Sequence, residues 1–251
     1  MTARRETRDA ILGGALTIVQ PADGYRFSLD SVLLADFARP RKQDRVLDLG
    51  CGCGLIAAMI ALRYKPRAVI GIEMQADLAE CARRNALENR LEMMTVIQAD
   101  LRRREIAGIE PHSFDYVVTN PPYRPSQGGR ESPNESRRIA RGGDGASLHD
   151  FVQAAARYTK GNDKVAIVFT AIRTTELIAE LRAKALEPKR LRFVHPYADA
   201  PASTVMVEAR KGGRIEARIE PALVVWESAG VYTLEAQSIL KGRPDEFVSS
   251  R

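Results

Sequence analysis

The stretch DYVVTNPPY, residues 115–123, ends a run of β-branched residues in an amide, two prolines and an aromatic ring. Prolines stop a strand because they lack an N–H group and fix φ. A chain that only needed to stop could use Gly or Ser instead. Asn120 and Tyr123 at the carboxyl end of a strand therefore indicate a site.

The chemistry suited to this tip concerns a planar amine. An exocyclic amine on a base or a carboxamide is a poor nucleophile because its lone pair is delocalised. Two acceptors aimed at its hydrogens, the Asn120 side-chain carbonyl and the Pro121 backbone carbonyl, would make the nitrogen more nucleophilic in a preorganised geometry. Tyr123 can stack on the planar group, which is worth roughly 1–3 kcal/mol per base. The alternative is a proline-stopped strand with an incidental Asn.

A glycine-rich loop, DLGCGCG at residues 48–54, joins a predicted strand to a predicted helix. Glycines allow a tight turn and a close approach of a ligand, and the helix N-terminus directs free N–H groups at that ligand. A nicotinamide-type fingerprint needs glycine at positions 50, 52 and 55. Here the glycines are Gly50, Gly52 and Gly54, followed by Leu55. A tight turn with no ligand is the alternative.

Two acidic residues follow the next two predicted strands. Glu73 ends the second strand, where a carboxylate can accept both hydroxyls of a ribose. Asp100 follows the third strand, where its side chain or its backbone could read an adenine amino group. A sulfonium-bearing adenosine derivative would use both residues together with the glycine floor.

The cysteines raise the possibility of a metal site. Cys51 and Cys53 supply only two ligands, and the histidines are isolated in the sequence. A structural metal site needs about four ligands. We therefore predict no metal and assign the thiols to packing beside the turn.

The elements that must position these residues follow from an alternation of apolar runs and helical stretches. Strands are predicted at 45–49, 68–73, 94–98, 114–119, 165–169, 191–194 and 204–209, and helices at 55–64, 77–88, 148–159 and 174–185. Alternation of this kind predicts an α/β fold with a doubly wound, mostly parallel sheet. Ligands bind outside the carboxyl ends of such strands, so Asn120 is expected close to the glycine loop.

The flanks depart from this alternation. Residues 1–44 contain a predicted strand at 14–19, a turn at 21–24 and a helix at 31–37, and residues 214–234 resemble a hairpin. We predict an N-terminal extension over the cofactor site (1–44), a core (45–211), and a C-terminal hairpin and tail (212–251) that belongs to the same domain.

Bulk properties limit the function classes. The chain has 251 residues, 45% of them hydrophobic, and no apolar run of the length that spans a membrane. The charged N-terminus is not predicted to be a signal peptide, and three cysteines favour a reducing compartment, so we predict a cytoplasmic protein. The formal net charge of +6 is compatible with a polyanionic partner such as RNA or DNA, which the three arginines at 102–104 could contact.

The combination of DLGCGCG, Glu73, Asp100 and NPPY resembles class I S-adenosylmethionine-dependent methyltransferases that act on amino nitrogen. The resemblance covers roughly residues 14–211 and implies a seven-stranded, Rossmann-like sheet. Residues 24–35 and 195–212 are similar to segments of the bacterial tRNA(Val) adenine-N6 methyltransferase group. The NPPY motif itself does not separate adenine from glutamine acceptors.

The resemblance also implies residue roles. S-adenosyl-L-methionine would be the cofactor, bound by Asp48, Gly50, Gly52, Gly54, Glu73, Asp100 and Asn120. The target amine would be held by Asn120, Pro121 and Tyr123, and the site closed by Tyr25, Phe27 and Asp30. One departure is Cys53, where a hydroxyl residue is common in the family.

Arginines near the tip suggest how a nucleic acid would bind. The segment 124–147 is rich in arginine, and arginine recognises phosphate bidentately. We assign substrate binding to Arg124, Arg137 and Arg138 together with Tyr123, since a target base must leave its stack to reach the donor. A solvated basic loop is the alternative.

The sequence therefore predicts transfer of a methyl group to the N6 amino group of an adenine in RNA, with tRNA favoured and a monomer slightly favoured. The alternatives are a protein-glutamine N-methyltransferase, a non-catalytic RNA-binding protein that binds S-adenosylmethionine, and a DNA adenine methyltransferase.

Overall fold

The computed structural model describes residues 5–22, 28–122 and 145–242. The helices are α1 Leu29–Ala38, α2 Leu55–Tyr64, α3 Ala76–Glu88, α4 Leu148–Tyr158, α5 Thr174–Ala183 and α6 Leu234–Lys241. The strands are β1 Glu6–Ile11, β2 Leu16–Pro21, β3 Arg45–Leu49, β4 Ala68–Glu73, β5 Met94–Gln98, β6 Phe114–Thr119, β7 Thr159–Thr170, β8 Leu186–His195, β9 Thr204–Lys211, β10 Arg218–Ile219, β11 Leu223–Val224, β12 Trp226–Ser228 and β13 Val231–Tyr232.

The central sheet confirms the predicted α/β fold. Its order is β8-β9-β7-β6-β3-β4-β5, with β10 and β11 added in parallel beside β8. Strand β9 runs antiparallel to both β7 and β8, because the connection from β8 to β9 is too short for the crossover that parallel strands require. The seven predicted strands form this core, and two two-residue strands that were not predicted from the sequence extend one edge.

Apolar layers cover both faces of the sheet. Alternate residues of β3 show the division, since Val46 packs in the layer that includes α1 and α2, whereas Leu47 and Leu49 pack in the layer that includes α4. Burial on both faces explains why the strands read as near-continuous apolar runs. Strand β3 carries one acidic side chain, Asp48, and it is fully buried.

An N-terminal hairpin of β1 and β2 packs against α3. The sequence predicted one strand here, at 14–19, and missed β1. The free edge of β2 is paired with side chains instead of another strand: Asn85 Oδ1 accepts from Val19 N at 2.8 Å, and Asn85 Nδ2 donates to Val19 O at 2.8 Å and to Cys53 O at 2.9 Å. One buried amide thus joins the hairpin to the glycine loop.

Replacing Asn85 by alanine is expected to lower the free energy of unfolding by about 2 kcal/mol, because three buried backbone groups lose their partner. Chemical denaturation measures the loss. Asn89→Ala is the matched control, since Asn89 makes a similar pair of bonds to Thr17 but is only partly buried. An Asn85→Ala loss no larger than that of the control would contradict this prediction.

The C-terminal hairpin is also present, as β12 paired with β13. Trp226 and Tyr232 stack with ring centroids 4.0 Å apart, which is the packing arrangement of a small hairpin. Helix α6 was not predicted, although Thr233 caps its N-terminus through a bond from Ala236 N. Buried Arg63 holds this helix by bonding to Ile239 O.

Within residues 5–22, 28–122 and 145–242, the structure contains no helix with the length and apolar character needed to cross a membrane.

Candidate active site

The carboxyl ends of β3, β4, β5 and β6 bring most of the predicted site residues to one edge of the sheet. Leu49 of β3 is in register with Ile72 on one side and with Thr119 on the other. Glu73 is in register with Gln98, two residues before Asp100. The glycine loop, Glu73, Asp100 and Asn120 therefore follow neighbouring strand ends, as the sequence predicted.

The glycine loop turns sharply at all three glycines. The φ angles are 70° at Gly50, 57° at Gly52 and 85° at Gly54, a left-handed region that side chains disfavour. The loop is anchored to β4, because the N–H groups of Gly50 and Cys51 both donate to Ile72 O, at 2.8 and 3.0 Å.

Two of these glycines also have a packing reason. A Cβ at Gly50 would lie 2.9 Å from Phe151 Cε1, and a Cβ at Gly54 would lie 2.8 Å from Met94 Cε. The sequence predicts a ligand as the reason for the three glycines, with a tight turn as the alternative. The structure adds that α4 and the chain around β5 approach the loop closely.

Glu73 is held in a fixed orientation by the loop backbone. Its Oε2 accepts from Gly52 N at 2.9 Å, and its Oε1 accepts from Gln75 N at 2.9 Å. Burial raises the pKa of Glu73, and these backbone hydrogen bonds oppose the rise. Each carboxylate oxygen keeps a second lone pair, so the group can still accept a pair of hydroxyls.

Asp48 is the buried acid at the start of the loop. Its Oδ2 accepts from Ala57 N at 3.2 Å, whereas its Oδ1 has no hydrogen-bond partner among the described residues. Burial raises the pKa of Asp48 to about 7, and the nearby charge of Glu73 adds to the rise. A buried acceptor without a donor is costly, so this oxygen fits a ligand that brings a cationic donor.

Asp100 is clamped by a neighbour. Arg102 donates to both of its carboxylate oxygens, with N–O distances of 2.7 to 3.0 Å. These bonds hold the pKa of Asp100 below its usual value. The sequence placed Arg102 in a basic stretch that could contact a nucleic acid, but the structure pairs it with Asp100 first.

Asn120 is held by a residue far away in the chain. Its side-chain Nδ2 donates to Ser31 Oγ at 3.0 Å, and Ser31 is only 2% exposed. The preceding Thr119 is tied to β3 through a bond from its hydroxyl to Leu49 O at 2.8 Å. Pro121, directly after Asn120, is buried.

Ser31 was not singled out from the sequence. A sequence signal for Ser31 exists, because it lies within residues 24–35, a segment that carries part of the family resemblance. Its neighbour Asp30, which was singled out, accepts a bond from Thr204 Oγ1 at 3.1 Å. The first turn of α1 therefore contacts Asn120, which follows β6, and Thr204, which begins β9, at the same edge of the sheet.

Several predicted residues lie outside the described ranges: Tyr25, Phe27, Tyr123, Arg124, Arg137 and Arg138. Their assignments stay predictions.

The cysteines are buried and free. Burial raises the pKa of the Cys53 thiol to about 12 and that of Cys51 well above its usual value, so neither is a ready thiolate. In the part of the chain that the structure describes, no group of three or more His, Cys, Asp or Glu side chains is placed to hold a metal ion.

Comparison with known proteins identifies the family model and the relatives that this chain matches. Residues 28–172 match the model of the methyltransferase small domain. A tRNA1(Val) (adenine(37)-N6)-methyltransferase from Parabacteroides distasonis is 31% identical over 183 residues, covering 71% of this chain and 74% of the relative. A relative of the same name from Yersinia enterocolitica is 36% identical over 124 residues, which cover 48% of this chain and 47% of that relative.

Solved structures share the fold. A predicted O-methyltransferase from Agrobacterium tumefaciens aligns with a TM-score of 0.67 at 22% identity, over 84% of this chain and 94% of that one. A geranyl diphosphate C-methyltransferase from Streptomyces coelicolor, solved with Mg²⁺, geranyl diphosphate and S-adenosyl-L-homocysteine, aligns with a TM-score of 0.53 at 15% identity, over 72% of this chain and 78% of that one.

Proposed function

Because this chain belongs to the methyltransferase small-domain family, we propose that it transfers a methyl group to the N6 amino group of an adenine in RNA, with tRNA as the substrate class. The observation that carries the proposal is the placement of Asn120. It follows β6 at the edge where the glycine loop and Glu73 meet, with its amide held by Ser31.

The methyl donor is S-adenosyl-L-methionine, which supplies an electrophilic methyl group when bound. We assign Glu73 to the ribose hydroxyls and Asp48 to the methionine ammonium group. The Oδ1 of buried Asp48, which has no hydrogen-bond partner among the described residues, supports the second assignment, because an ammonium would supply a donor. Gly50, Gly52 and Gly54 would form the floor, and Asp100 would read the adenine.

The acceptor amine would be positioned by carbonyl oxygens. The Asn120 side-chain carbonyl and the Pro121 backbone carbonyl would accept hydrogen bonds from its two N–H groups, which would localise the nitrogen lone pair towards the methyl carbon. As the nitrogen–methyl bond forms, the methyl–sulfur bond would break, leaving a neutral thioether, and the surplus proton of the amine would pass to solvent. No covalent intermediate with the protein is needed, so the contribution of these residues is orientation and electrostatics. Tyr123 would stack on the adenine.

The choice of RNA is supported by the names of the relatives and by the net charge of +6. Lysine and arginine in excess favour phosphate contacts, which dominate affinity for nucleic acids. Arg124, Arg137 and Arg138 are the residues we assign to those contacts.

We also propose that residues 1–44 close over the donor and that residues 212–251 complete the domain begun by the core at 45–211. Contacts from the first turn of α1 to Asn120 and Thr204 support the first part. The packing of Val225 and Ile239 into the core supports the second. A cytoplasmic location and a monomeric state stay predictions.

The test is a labelled-methyl transfer assay with total RNA, DNA and protein fractions, followed by nucleoside analysis. We expect label in tRNA, recovered as N6-methyladenosine and lost after ribonuclease treatment. Label in protein that survives ribonuclease would show a glutamine acceptor instead. Label in DNA would show that DNA, and not RNA, is the substrate. Donor binding without any labelled product would indicate a non-catalytic protein.

A further inference from the structure

An asparagine can serve as an amine acceptor in only one of its two orientations. Its carbonyl oxygen accepts a hydrogen, whereas its NH₂ group donates and would repel the N–H bonds of a substrate amine. The two orientations differ by rotation about the Cβ–Cγ bond, a torsion with a broad, roughly two-fold profile. Some other group must therefore fix the amide of Asn120.

We propose that Ser31 is the positioning residue for Asn120 and holds it in the orientation that presents the side-chain carbonyl to the acceptor amine. This inference rests on the proposed function, since it concerns the same amine site. The observation behind it is the 3.0 Å bond from Asn120 Nδ2 to Ser31 Oγ. With Nδ2 engaged by the hydroxyl, Oδ1 is directed to the other side of the amide.

Burial strengthens this contact. Ser31 is 2% exposed, so water does not compete freely for its oxygen. Ser31 also lies on a rigid element, because α1 begins at Leu29 and packs its apolar residues against the core. An oxygen fixed in this way holds the Asn120 amide before substrate arrives, which is how a positioned group favours reaction.

Helix α1 is itself tied to the site edge at a second point. Thr204 Oγ1 donates to Asp30 Oδ1 at 3.1 Å, at the start of β9. Adjacent residues of one helical turn therefore contact the ends of β6 and β9, on either side of β7. The position of Ser31 relative to Asn120 is thus set by the helix and by the sheet together.

The experiment is a double-mutant cycle with Ser31→Ala and Asn120→Ala, assayed for methyl transfer and for donor binding. Ser31→Ala removes the hydrogen bond to Asn120 and is expected to lower kcat about tenfold, with the donor Kd unchanged. In the Asn120→Ala background, Ser31→Ala is expected to have no further effect on kcat. Ser31→Thr, which keeps the hydroxyl, is expected to retain most of the activity.

Ser28→Ala is the matched control at the start of the same helix, since the Ser28 side chain makes no capping bond, and it is expected to leave kcat unchanged. Wild-type kcat in Ser31→Ala, or a tenfold effect that persists in the Asn120→Ala background, would overturn the inference. Thermal unfolding of each variant separates loss of folding from loss of positioning.

A readout independent of turnover keeps this inference distinct from the proposed function. The side-chain amide protons of Asn120, observed by ¹⁵N NMR, are expected to exchange slowly with solvent in the wild type and faster in Ser31→Ala. If wild-type protein methylates no RNA, the proposed function fails, and the amide exchange still decides the role of Ser31. Equal exchange rates in the two proteins would refute it.

Discussion

Replacing Asn120 by alanine is expected to lower the rate of methyl transfer on the order of 10²-fold or more, with donor binding nearly kept. The physical reason is that one of the two carbonyl acceptors for the target amine is lost. We assign most of the donor contacts to the glycine loop, Asp48 and Glu73, so the loss of Asn120, which is also among the predicted donor-binding residues, is expected to weaken donor binding only slightly.

The measurement is single-turnover methyl transfer alongside donor titration by calorimetry. Asn120→Gln serves as the matched variant, because it keeps the amide but displaces it by one methylene and separates it from Ser31. We expect it to be strongly impaired as well, since geometry and not the amide alone is required. Near-full activity in Asn120→Ala would disprove the assigned role.

Replacing Asp48 by asparagine is expected to weaken donor binding about a hundredfold at pH 8, because a charge-assisted bond to the methionine ammonium is lost. Burial raises the pKa of Asp48 to about 7 in the free protein. Donor affinity of the wild type should therefore fall as pH drops from 8 to 6, since the protonated acid no longer carries a charge. The variant should show a flat profile over that range.

The same substitution is expected to raise the stability of the donor-free protein at pH 8. The folded-state pKa of Asp48, about 7, lies above its ordinary value of 3.8. Between those values the folded state binds the extra proton, so stability falls as pH rises. The amide in Asp48→Asn has no charge to bury, and the Tm of this variant should exceed that of the wild type at pH 8 and converge with it near pH 4. A wild-type Tm equal to or above that of Asp48→Asn at pH 8 would contradict this account.

Local patterns in the sequence determined the core of the fold. The predicted bounds of the strands at 45–49, 68–73, 94–98 and 114–119, and of the helix at 55–64, agree with β3, β4, β5, β6 and α2. Strands β3, β4 and β6 and helix α2 are mostly buried, so their sequences are nearly continuous apolar runs, whereas the edge strand β5 is only partly buried. The glycine and proline signals between them mark turns by backbone geometry alone.

Short strands and strand ends were harder to predict from the sequence. Strands β10 and β11 have two residues each and carry no periodicity. The predicted strand at 165–169 begins earlier, at Thr159, because Thr159 pairs with Phe114 of β6; the register with β6 is irregular before Lys164, where pairing with β9 also begins. Ladder hydrogen bonds formed with distant strands, rather than local hydrophobicity, decide such boundaries.

For the site, the sequence determined which residues stand at the strand ends. These residues carry the proposed chemistry, in which a methyl donor meets an acceptor amine that is bound by two carbonyl oxygens. The tertiary structure decided which partners hold those residues: Ser31 for Asn120, Gly52 N–H for Glu73, and Arg102 for Asp100. The first two contacts join positions far apart in the chain, and a hydrogen bond between such positions leaves no local pattern. It forms because α1 and the glycine loop pack against the same sheet edge, and packing is a property of the whole chain.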